Sequence, residues 1–199
     1  MSMSRTDIRK MALTAMLISV LIVLGLVNIP QPAGLSITFN MIPVAIAAIT
    51  MGIKGGLTLG FAFGMISFLQ CFGIIGFSGM GAVLVEISPF LSFLQRVVSR
   101  VAVGFFTALV YRLIRNRANA AVAGSITGFC AAFFNTVLFM SSLVLLFGQT
   151  EYMQNLIAGR SIIVYIITAV GINAVVEMLV AAILTGAVSL AIHKAGFIE

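Results

Sequence analysis

From Ser161 to Ile192 the chain carries a single charged side chain, Glu177. A bilayer hydrocarbon core of about 30 Å is crossed by roughly 20 apolar residues of helix, so this run can span it with length to spare. Runs of similar character begin near Met11, Met41, Gly55, Arg96 and Asn119. Within lipid every backbone N–H and C=O must be paired internally, which leaves helices or a closed barrel. These runs lack the two-residue alternation of barrel strands. The composition agrees, at 61% hydrophobic and 8% charged with a mean hydropathy of +1.22. A soluble domain of 199 residues could not bury that much apolar surface. The expected fold is an all-α membrane protein, one integral membrane domain over residues 1–199.

Six transmembrane helices are expected: Met11–Val27, Met41–Ile53, Gly55–Phe72, Arg96–Ile114, Asn119–Phe147 and Ser161–Ile192. The second is short for a crossing and suits a broken or partly re-entrant segment. The last two must tilt or project. With the N-terminus inside, Arg5, Arg9, Lys10, Lys54, Arg112, Arg115, Arg117 and Lys194 all fall on the inner side, eight of the eleven basic residues. The positive-inside rule then puts both termini in the cytoplasm. The net charge of +6 is explained by topology, so no nucleic-acid partner is expected. No clear cleavage site follows the first run, so it is expected to stay as a span.

Arg96, Arg100 and Arg160 fall on the opposite side, where topology does not explain them. An ionisable group in a bilayer costs several kcal/mol unless it faces a partner, a cavity or a ligand. Arg96 and Arg100 are four apart on one helix face, and a guanidinium is a flat fork of donors suited to a carboxylate or phosphate. A substrate anion, lipid phosphate, or a salt bridge to Glu86 or Glu151 would each satisfy them. Asn173 and Glu177 share a face of the last span, and Asn135 lies inside the fifth. These amides and this carboxylate could line a polar pocket or bond helix to helix. Glu177 could also carry a proton or neutralise an arginine. Phe39, Asn40 and Gln70 are weaker candidates at the outer mouth, and Phe133, Phe134 and Phe139 suit lipid or core contacts.

The segment Asn28–Asn40 is uncharged, and Pro30 and Pro32 keep it out of helix, so it could close a pocket mouth. The connection Gly73–Gln95 is glycine-rich and apolar, and Gly148–Arg160 is polar. Gly52, Gly56, Gly60 and Gly64 recur every four residues, a smooth face for a neighbouring helix or a partner protein. Ala12, Ala15 and Ser19 make a small-residue patch on the first span, suited to the same two uses. Cys71 and Cys130 sit in apolar runs and are expected as buried thiols without a disulfide. His193 flanks the last span. No catalytic residues, metal ligands or phosphate-cradling loop are identified, so no enzyme is expected and any ATP must be used by another subunit.

The stretches SITFNMIPVAIAAITMGIKGGLTLGFAFG, QRVVSRVAVGFFTALVYRLIRN and GFCAAFFNTVLFM, with the span arrangement, make the chain similar over its full length to the substrate-binding S components of energy-coupling-factor (ECF) vitamin transporters. The resemblance implies a high-affinity vitamin-binding subunit, multi-pass in a bacterial plasma membrane. It implies docking on an ECF module of one scaffold subunit and two ATPase subunits, which use the ATP, and delivery by toppling in the membrane. This chain itself would need no cofactor. The family docks through an Ala-x-x-x-Ala pattern on the first helix; here Ala12, Ala15 and Ser19 are the corresponding small residues, with Ser19 in place of the second alanine.

The stretch GINAVVEM and the arginine pair resemble the pantothenate-type members. Pantothenate has one carboxylate, two hydroxyls and an amide. Asn40, Gln70, Arg96, Arg100, Asn135, Asn173 and Glu177 are therefore the expected substrate-binding residues, an arginine taking the carboxylate. Folate, or thiamin or its hydroxymethylpyrimidine precursor, is the alternative vitamin; both would call for more aromatic surface than a chain with no Trp and three Tyr offers. A proton-coupled secondary transporter using Glu177 is the alternative outside the family.

Overall fold

The computed structural model describes residues 5–26, 29–30 and 36–196. Val27, Asn28 and the loop centre with Pro32 lie outside the described residues, as does the side chain of Arg5. Helix α1 is Arg5–Leu26. Two strands follow, β1 Ile29–Pro30 and β2 Ser36–Ile37, paired antiparallel with Ile29 opposite Ile37. Then come α2 Met41–Leu69, a single 3₁₀ turn Gln70–Phe72, α3 Gly79–Ile87 and α4 Pro89–Phe93. A π-helical turn, Leu94–Val98, runs into α5 Ser99–Ile114. The chain ends with α6 Ala120–Phe147, α7 Glu151–Ile157 and α8 Ile162–Lys194.

Five helical stretches among the described residues are long and apolar enough to cross a membrane: Asp7–Leu26, Met41–Phe72, Pro89–Ile114, Ala120–Phe147 and Asn173–Lys194. The second contains the expected break. Gly52 adopts φ 63° and ψ −146°, a conformation open only to glycine. A Cβ on Gly55 would strike the carbonyl oxygen of Ala47. In a straight helix residues eight apart are separated by about 12 Å of rise, so the chain doubles back at Gly52. The division falls there, one turn before the expected start at Gly55.

Local chemistry sets the other boundaries. Ser78, Ser88, Asn119, Thr150 and Ser161 each accept a hydrogen bond from the backbone N–H three residues on, the N-cap arrangement. Ser88 is followed by Pro89, whose fixed φ suits a first helical turn. The expectation that a span begins at Arg96 is corrected by this cap: the rod starts at Pro89, and Arg96 lies within it. The connections Gly73–Gln95 and Gly148–Arg160 likewise hold helices α3, α4 and α7.

Helix α2 packs on α1, α5, α6 and α8, while α6 lies along α5 and α8. The recurring glycines serve this internal packing. Gly56 faces the backbone of Gly104, Gly60 the carbonyl of Arg100, and Gly64 the backbone of Arg96 and Val97. On the other seam, Gly128 meets Ala181 and Thr185, and Gly124 meets Ser189. Ser189 Oγ donates to the Ala120 carbonyl at 2.8 Å. One end of the bundle thus gathers Ile49, Tyr111 and Ala123 into a small apolar cluster. At the other end Met80, Leu84, Met140, Leu143, Phe147, Met153 and Tyr165 pack together. The main core lies between, on Leu21, Val44, Leu59, Phe63 and Val103 among others.

Candidate functional site

A cavity of about 90 Å³ opens beside the main core, toward the end where α2 both begins and terminates. One ordered water needs roughly 10–15 Å³ on that measure, so the space suits a guest of several non-hydrogen atoms. Each wall follows from helical periodicity. Phe63, Ser67 and Gln70 descend one face of α2 and the following turn; Asn135, Thr136, Phe139 and Met140 form a face of α6; Asn173, Ala174 and Glu177 form a face of α8. Arg96 and Arg100 come from the π-turn and α5, Ser78 and Met80 from the start of α3, and Thr38 and Asn40 from the segment before α2. Asn40, Gln70, Arg96, Arg100, Asn135, Asn173 and Glu177 therefore surround one space.

The two arginines are 5% and 6% exposed, yet they are held differently. Arg96 donates from Nη1 to Ser67 Oγ at 2.9 Å and from Nη2 to Ser78 Oγ at 3.2 Å. Gly81 makes room for it: a Cβ there would lie 2.7 Å from Arg96 Nη2 and from Cys71 Sγ. The Arg100 guanidinium carbon lies 4.5 Å from the Phe139 ring centroid and 5.0 Å from that of Phe63. Contacts of this kind stabilise a cation through the ring quadrupole, but they leave its N–H donors free. Arg100 Nε and Nη1 are buried without a hydrogen-bond partner among the described residues, and so is Arg96 Nε. Glu86 and Glu151 are exposed on the surface, so neither buries a salt bridge with these arginines. Arg160 is exposed too.

Glu177, 9% exposed, accepts the backbone N–H of Thr38 at 2.8 Å. Its carboxylate thus ties α8 to the segment that follows β2. Gln70 donates from Nε2 to the Gly25 carbonyl at 2.8 Å, fastening the end of α1. Both amide atoms of Asn40, and Oδ1 of Asn135, are buried without partners among the described residues. Unpaired buried polar atoms cost about 1–3 kcal/mol each, so a group of them around one cavity marks a place built to receive hydrogen-bonding groups.

Phe139 corrects an expectation. Phe133 is exposed and Phe134 packs against the main core, but Phe139 lines the cavity under both guanidiniums. Its position one turn after Asn135 was the available signal. Phe39 does not line the cavity, whereas Thr38, Ser67, Ser78, Thr136 and Met140 do, although nothing in their local sequence distinguishes them. Ala12, Ala15 and Ser19 do not line this space and lie on an exposed face of α1. Cys71 and Cys130 are free thiols; Cys71 is buried as expected, whereas Cys130 is only partly buried because its face of α6 is not fully covered.

Residues 9–189 match the family described as "ECF transporter, substrate-specific component". The chain is also similar to the "Pantothenic acid transporter PanT" of Lactococcus lactis subsp. cremoris (strain MG1363). The two are 29% identical over 206 residues, covering 97% of this chain and 98% of the relative.

Proposed function

Because the chain belongs to the ECF transporter substrate-specific component family, we propose that it is the binding subunit of an ATP-driven vitamin importer and that its cavity receives pantothenate. The observation that carries this is electrostatic. Two buried guanidiniums face one buried carboxylate, leaving one uncompensated positive charge around the cavity. A monoanion balances it. Folate, with two carboxylates, and thiamin, a cation, do not. In this reading Arg100 takes the pantothenate carboxylate through its unpartnered Nε and Nη1, and Arg96 shapes the wall through Ser67 and Ser78. Asn40, Asn135 and Asn173 serve the amide and hydroxyls. Gln70 and Glu177 hold the neighbouring backbone in place, Gln70 at the Gly25 carbonyl and Glu177 at the Thr38 N–H.

The same proposal extends to the rest of the chain. The reversal at Gly52 supports counting α2 as two crossings, which gives six spans and both termini in the cytoplasm. Arg112 in the last turn of α5, and Arg115 and Arg117 in the connection to α6, are exposed, as the inner flank of a bacterial plasma-membrane protein would be. The exposed face of α1, with Ala12, Ala15 and Ser19 among apolar neighbours such as Met16 and Val20, would dock on the scaffold subunit, and the two ATPase subunits would use the ATP.

Calorimetry on the purified chain tests the substrate. Saturable binding of pantothenate, with folate and thiamin silent, is the expected result; a response to folate or thiamin alone would overturn the assignment. Uptake in cells lacking every ECF module separates the transporter classes. Proton-gradient-dependent accumulation there would mean that Glu177 drives a secondary transporter instead.

A further inference from the structure

The π-turn Leu94–Val98 holds two polar side chains, and the proposed site uses only one of them. Arg96 lines the cavity. Gln95 does not, although it is 0% exposed, and neither its amide nitrogen nor its amide oxygen has a partner among the described residues. Ser92, on the preceding turn, is buried with an unpartnered hydroxyl as well. A carboxamide offers two donors and an acceptor oxygen, and burying it unpaired destabilises the state in which it is unpaired. An apolar side chain of similar volume would avoid that penalty. Such a group makes physical sense where a second state of the protein satisfies it.

The backbone supplies a route to that state. A π-turn contains one residue more than the α-helix around it, and such turns recur at functional sites. The extra residue can pass along a helix by exchanging one backbone hydrogen bond for another, without unfolding. Each step rotates the residues it passes by up to roughly 100°. Gln95 adjoins Arg96, and Phe139 forms the wall beneath the Arg96 guanidinium. Resting on the reading of the cavity given above, we propose that Gln95 is a specificity-determining residue: the π-turn shifts when the guest enters and brings the Gln95 carboxamide to the guest's hydroxyl groups.

Four titrations, a pair of melts and one hydrogen-exchange measurement test this on the full chain. Pantothenate and an analogue whose two hydroxyls are replaced by hydrogen are titrated into the wild type and Gln95→Met, and the guest-free proteins are melted. Gln95→Met is expected to weaken pantothenate binding roughly tenfold, the size of one hydrogen bond, while analogue binding stays unchanged and the guest-free protein melts higher. Equal pantothenate affinity in the two proteins would overturn the proposal, whatever the melting temperature does. A measurement on the wild type covers the case in which the variant does not fold. Hydrogen exchange at residues 94–98 should change when pantothenate is added, and identical exchange with and without it would also refute the shift. Failure of the wild type to bind pantothenate at all would instead remove the functional reading on which this inference stands.

Discussion

Around Gly124, Gly128 and Gly186, helices α6 and α8 meet so closely that a Cβ on any of the three would strike the facing helix. Roughly two to four turns further along the same pair, Asn135, Phe139, Asn173 and Glu177 look onto the cavity. Helix type, length and hydropathy are alike at the two levels; side-chain size is not. Small residues let backbones approach where lipid supplies no hydrophobic push between helices. Long polar residues leave a space between them where those small residues give out. The α2–α5 seam ties the two regimes together, because Gly60 packs on the backbone carbonyl of Arg100 itself. The closed end therefore fixes where the cavity's cation stands, and the open end decides what that cation meets.

The sharpest way to break this contrast is at the cation. Arg100→Ala is expected to lower pantothenate affinity at least a hundredfold, about 3–5 kcal/mol for losing one partner of a buried charge pair, in a titration of purified protein. An unchanged affinity would mean that the open end does not hold an anion. Next in size is the seam. Gly128→Val places branched carbons against the Ala181 carbonyl and Thr185, and overpacking of this kind costs about 1–3 kcal/mol. A clear fall in detergent melting temperature is expected. A variant that melts like the wild type would show that α6 and α8 are not held backbone to backbone. The smallest effect belongs to a charge outside both regimes. Arg115 is exposed beyond α5, so Arg115→Ala should stay within about 0.5 kcal/mol of wild-type stability and leave pantothenate affinity unaltered. A loss comparable to that of Arg100→Ala would erase the distinction between a buried and a surface guanidinium on which the comparison rests.

Much of this was legible from residue type. Glu177, Arg96 and Arg100 stood out because charge in an apolar run has to be satisfied somewhere, and Asn135 and Asn173 stood out for the same reason. Phe139 is harder to read, because an aromatic residue in an apolar helix suits lipid as well as a cavity, and only its spacing of one turn from Asn135 points inward. Ser67 and Ser78 were missed because a serine reveals nothing about the arginine it will meet. The glycine repeat fixed a smooth face but not its occupant, which could have been a partner protein and is the backbone of α5. The π-turn left no mark in the sequence either, since LQRVV is an ordinary helical pentapeptide.

From the letters alone came the membrane-helical class, the break near Lys54 and the presence of expensive polar residues. These are local properties: hydropathy, glycine conformation and the cost of charge in lipid act on each segment by itself. Only the tertiary structure decided that polar residues from α2, α5, α6 and α8 converge on one cavity, that Arg96 is tied to serines while Arg100 keeps free donors, and that Gln95 is buried without a partner. Those facts depend on how far each helix is turned about its axis, and that rotation is set by the neighbours it packs against rather than by its own sequence.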